Sequence, residues 1–262
     1  MDLASAPLVL SSGLLAGLLH VVSGVDHLAA LLPLAVGRRL AAFGTGVRWG
    51  FGHSAGVLVV GLLGVALKQR LDLAAVGLAG ERLVGAALVV IGALGIRRAL
   101  RMRLHTHSHA HDGAAHTHLH VHLGARAAEH DLDALAHRHG HAAFAAGTLH
   151  GVAGSAHLLA VVPAVALPGW LASGAYLLAF ALGTVLAMGA FAALVGEGSA
   201  RAASGPRAMR GILLAAGAVT VIVGVAWLFL ALRSSLPHEG RTAAPPAGWT
   251  LPAAPSGAAS ML

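Results

Sequence analysis

The chain has no cysteine, a single tyrosine and few aromatic residues (4%), and only 10% of its 262 residues are charged. Without thiols there can be no disulfides, no thiolate metal site and no dithiol electron carrier. So little charge, set beside 57% hydrophobic residues and a mean hydropathy of +0.78, excludes an ordinary soluble domain. Carboxylates are scarcest, with 10 Asp and Glu against 17 Lys and Arg. That basic excess does not mark a nucleic-acid partner, because the bases lie between or beside apolar runs, where they set membrane topology. With the N-terminus outside, 12 of the 17 fall in inside loops, so both termini are expected outside and the long central loop in the cytoplasm.

What is present is a series of apolar runs of about 20 residues, the length that crosses a bilayer core. They lie near 8–32, 47–67, 80–98, 143–166, 170–195 and 211–232. The first lacks a basic leader and has a near copy in mid-chain, so it is expected to be a span rather than a removable signal. Residues 16–33 (AGLLHVVSGVDHLAALLP) match residues 146–163 (AGTLHGVAGSAHLLAVVP) at ten of 18 positions. His20 aligns with His150, Gly24 with Gly154, His27 with His157 and Pro33 with Pro163. The third runs align through Gly85 and Gly92 with Gly217 and Gly224.

A repeat of three helices has odd parity, so its second copy enters the membrane from the other side. The expected fold is therefore all-α and polytopic, with six transmembrane helices as two inverted three-helix repeats. The first repeat covers 1–98 and the second 142–233. A His-rich cytoplasmic loop joins them over 99–141, and a disordered tail fills 234–262. The stretch 104–141 carries 12 of the 18 histidines, largely as His-x-His, which points to metal binding and to a buffering role. The expected location is a bacterial inner membrane, multi-pass.

Within the apolar runs the ionisable residues are His20, Asp26, His27, His53, His150 and His157. One buried histidine alone is better explained as a core residue bonded across helices. A duplicated pair beside an aspartate is not, because ionisable groups in a bilayer are costly and mark function. Five imidazoles and one carboxylate suit a borderline divalent cation such as Ni²⁺, Co²⁺ or Zn²⁺, while Mg²⁺ or Ca²⁺ would need more carboxylates. In a continuous helix His20 and His27 stand about 10 Å apart along the axis. Either the helix breaks at Ser23–Gly24, and its copy at Ala153–Gly154, or the two levels form stacked sites. Asp26 either offsets the cation's charge or orients a histidine.

His20, Asp26-His27 and Gly52-His53-Ser54 together resemble the nickel/cobalt transporter superfamily, in its urease-accessory-like nickel permease branch. The spacing differs by one: five residues, Val21 to Val25, separate His20 from Asp26 where the studied permeases have four. The resemblance implies uptake of Ni²⁺ or Co²⁺ as transported substrate, with no prosthetic group and no enzymatic activity. The implied partners are the metal ion, the lipid bilayer and a cytoplasmic metallochaperone, and no nucleic acid. An exporter, an intramembrane zinc hydrolase and a bis-histidine haem carrier are the competing readings.

Overall fold

The computed structural model describes residues 6–67, 73–111, 114–122, 132–153, 162–164 and 166–234. Its described helices are α1 (Ala6–Ser23), α2 (Val25–Ala35), α3 (Leu40–Leu67), α4 (Leu73–Arg101), α5 (Leu132–Ala153), α6 (Trp170–Ala202) and α7 (Pro206–Arg233). A two-stranded antiparallel hairpin, β1 (Arg103–His111) and β2 (Ala114–His122), stands between α4 and α5.

Among the described residues, four helical segments are long and apolar enough to cross a membrane: Ala6–Ser23, Gly77–Arg101, Trp170–Ala202 and Pro206–Arg233. Their outward faces carry exposed Leu8, Val22, Leu178, Leu194 and Ile222. An apolar exterior of this extent belongs in lipid rather than water. Apart from the hairpin, the described residues form an all-α membrane-type bundle.

The expected six spans in two inverted repeats do not appear as such. The first run is two helices, because the chain breaks at Gly24 (φ −82°, ψ 94°). The second starts at Leu40, well before its apolar stretch, and the fourth extends back to Leu132. The loop boundaries also shift. The supposed 99–141 loop comprises the end of α4, the hairpin and the first turns of α5. Alternating His with Thr, Ser, Leu or Val gives the period of two that a strand requires, and the β-branched members favour it. The register sets His105 opposite His120, His107 opposite His118 and His109 opposite His116. The expected tail begins at Ser234, and residues 235–262 lie outside the described residues.

Packing pairs α1 with α6, α5 with α3 and α4 with α7, while α6 also contacts α3. The α4–α7 seam rests on glycines. A Cβ on Gly92 would come within 2.6 Å of the Gly217 carbonyl, and one on Gly217 within 2.8 Å of the Gly92 carbonyl. Gly85 and Gly224 face each other in the same way. In lipid, where apolar burial drives no association, such small-residue contacts let backbones meet closely. Trp49, Val21, Leu31, Leu88 and Met188 fill the main core, all fully buried.

The short helix α2 sits among α3, α4, α6 and α7. Pro33 lies inside it and has no N–H for the carbonyl of Ala29 one turn back. The hydroxyl of Thr220 in α7 donates to that carbonyl instead, at 2.7 Å. A backbone group freed within a membrane bundle is thus satisfied by a neighbouring helix. The turn after α2 uses Gly37 at φ +75°, a conformation open to glycine. Its N–H donates to Ser199 Oγ in α6 at 3.0 Å.

Candidate metal centre

Gly24 ends α1 one residue after Ser23, and α2 starts at Val25. The break turns the second segment so that the His20 and His27 rings meet edge to face with centroids 4.7 Å apart. A Cβ on Gly24 would overlap the His27 ring. Glycine is therefore needed for room at this position, since its φ is one that any residue adopts. Of the two geometries open in the sequence, the broken helix is the one the chain uses.

α3 contributes His53, fully buried, one helical turn beyond Trp49. The Nε2 atoms of His20 and His53 stand 3.3 Å apart. α5 contributes His150, also buried, with its ring centroid 4.8 Å from that of His27 and 6.0 Å from Trp49. α3 and α5 come this close because Gly151 lies directly against the His53 carbonyl and Gly147 against that of Trp49. Any side chain at either glycine would push the helices apart.

Asp26 joins the parts. Its Oδ1 lies 2.9 Å from His27 Nδ1 and its Oδ2 3.0 Å from His150 Nε2. Both carboxylate oxygens thus engage imidazoles, which orients two rings at once. His27 is central, 4.7–4.8 Å ring to ring from His20, His53 and His150. Two potential ligand sets result, His20–His27–His53 and Asp26–His27–His150, and the ligand atoms of each lie within 4.8 Å of one another.

Tetrahedral coordination at about 2.1 Å per imidazole nitrogen puts neighbouring ligand atoms about 3.4 Å apart. The 3.3 Å between His20 and His53 falls on that edge length. The composition, nitrogen-rich with one carboxylate and no sulfur, favours a borderline transition-metal ion over a hard cation.

Five of the six residues singled out in the sequence, His20, Asp26, His27, His53 and His150, therefore converge. His157 lies outside the described residues. Two contributors escaped the sequence reasoning. Trp49 walls the centre, and its spacing of four from His53 on one helix face was the available signal. Thr220, which holds α2 through Ala29, left none, because its partner is 191 residues away.

The fold and centre define a membrane-type helical bundle with a buried histidine–aspartate cluster. No protein-family description matches this sequence, and no solved structure matches it. It is similar to the Arabidopsis thaliana protein Chloroplast protein FOR GROWTH AND FERTILITY 2, 38% identical over 82% of this chain and 54% of that protein. It is also similar to Chloroplast protein FOR GROWTH AND FERTILITY 1 of the same plant, 39% identical over 71% of this chain and 49% of that protein. The chain spans about half the length of these curated relatives.

These findings overturn the resemblance to the nickel/cobalt transporter superfamily, and with it nickel or cobalt permeation as the function. The relatives are named as chloroplast proteins for growth and fertility, not for metal transport. Short His/Asp motifs record what a site needs chemically; they are a weak guide to the ancestry of a whole chain.

Proposed function

We propose that the chain is a membrane-embedded metal-binding protein, with one divalent transition-metal ion held in the bundle by His20, His27 and His53. Asp26 orients His27 and His150 from beside the ion and supplies the compensating negative charge. The observation that carries this reading is the 3.3 Å approach of the imidazole nitrogens of His20 and His53, 33 residues apart in sequence, beside His27. Purely structural histidines have no need of a four-imidazole cluster around one carboxylate. The reading is of a binding protein, with no reaction assigned to it.

The same proposal retains the duplication as the architecture. Its support is the exchange of partners: the first helix of each half packs on the middle helix of the other, α1 on α6 and α5 on α3. A chloroplast membrane, the compartment in the relatives' names, is the proposed location in place of a bacterial inner membrane.

The test is Zn²⁺ binding by the purified full chain in detergent, with the histidines of 105–141 replaced by serine so that the His-rich segment adds no sites. One tightly held ion per chain is expected, and its loss in His27→Ala while the helical content persists. Failure of the parent protein to bind, or equal binding by the variant, would overturn the proposal. A second reading rests on the His27–Asp26–His150 hydrogen bonds, which form a buried proton-accepting chain. It predicts uptake of protons without bound metal.

A further inference from the structure

A cavity of about 470 Å³ opens among α2, α3, α4 and α5, at the C-terminal end of α2, and none of the clustered histidines lines it. Its size is that of a small-molecule or lipid site. Most of its wall is apolar, including Pro33, Leu34 and Ile91, and the polar groups facing it are Arg38, Thr45 and Arg98. Arg38 follows the Gly37 turn and donates to Thr45 Oγ1 at 3.2 Å, which holds its guanidinium against the cavity wall. Arg98 lies in the last turn of α4.

Both arginines are half-buried, and among the described residues no carboxylate pairs with either. Burial pushes the Arg38 guanidinium below its usual value, and the two cations repel each other. Two partly desolvated guanidiniums in an apolar cavity favour an anion. The planar forks suit phosphate, which they can bind through paired N–H donors. The same charge makes the cavity unsuited to admitting a cation, so it does not serve as an approach to the metal centre. Arg98 lies in the last turn of the membrane-length segment Gly77–Arg101, where a headgroup would be met, and neighbouring Leu94 and Leu100 are exposed.

We propose that this cavity binds an anionic phospholipid, with its phosphate held between Arg38 and Arg98 and its upper acyl chain along Pro33, Leu34 and Ile91. Basic pockets between transmembrane helices are known to take such headgroups. The apolar wall is what separates a lipid from a free phosphate ion as the occupant.

The test uses the purified full chain in neutral detergent, with phosphatidylglycerol, phosphatidylcholine or inorganic phosphate added at equal concentration. Retained lipid is counted by native mass spectrometry and the melting temperature is followed in parallel. Phosphatidylglycerol is expected to be retained at least tenfold over phosphatidylcholine and to raise the melting temperature, while phosphate leaves it unchanged. Arg38→Gln with Arg98→Gln should bring the retention ratio to one, and each single change should lower it. Equal retention of the two lipids by the wild-type chain overturns the proposal without any variant. So does an equal melting shift from phosphate alone, which would assign the site to a soluble anion. A double variant that folds and keeps the preference overturns it as well.

Discussion

His150 Nε2 lies 3.0 Å from Asp26 Oδ2, although 124 residues separate the two in sequence. The contact joins the two copies of the duplicated segment at the point where they differ, since Ala156 stands in the second copy where Asp26 stands in the first. One carboxylate thus serves histidines of both halves.

Asp26→Asn should keep the shape of the site and lose its charge. Partners that orient metal-bound histidines contribute about 10–100-fold in affinity. Zn²⁺ affinity is expected to fall by that factor, measured by chelator competition, with helical content unchanged. Unaltered affinity would show that Asp26 does not act on the ligands.

His20→Ala and His53→Ala should each abolish tight Zn²⁺ binding, and the double variant should bind no worse than either. Ligands of one ion act as a unit, so their effects do not add. Additive losses, measured by isothermal titration, would place the two histidines in separate sites.

Gly24→Ala should disrupt the centre sterically, because the new Cβ would overlap the His27 ring. Zn²⁺ binding is expected to drop sharply, while Gly198→Ala, where nothing lies within 4 Å of the added carbon, should be neutral. Equal behaviour of the two variants would mean that the break at Gly24 does not place His27.

Thr220→Val should strand the Ala29 carbonyl that Pro33 leaves without a donor. An unsatisfied buried carbonyl costs about 1–3 kcal/mol. Thermal melts in detergent should show a loss of that size. Pro33→Ala in the same background should recover part of it by restoring the intrahelical bond. No recovery would rule out the proposed exchange of donors.

Much of the centre was legible in the sequence because its constraints are local. The seven-residue step from His20 to His27 cannot serve one ion on a straight helix, and Gly24 lies between them, so the break could be anticipated. Convergence of His53 and His150 was inferable only as far as the duplication and their intramembrane positions allowed. The hairpin was hidden by its composition: a histidine repeat looks like low complexity, although its alternation carries the strand period. The start of α3 was hidden by Gly44, Thr45, Gly46 and Arg48, which dilute hydropathy without breaking a helix. The Thr220–Ala29 bond was not legible at all, since it depends on which helix packs over Pro33.

The interruption at Gly24 has a mechanical consequence. His20 lies in the last turn of one rod and His27 in the first turn of another, so an ion bridging them would work as a clasp between two stiff pieces. Since a ligand that binds only the folded form adds stability as its concentration rises, the rigidity of this region would then become a readout of the free metal around the membrane.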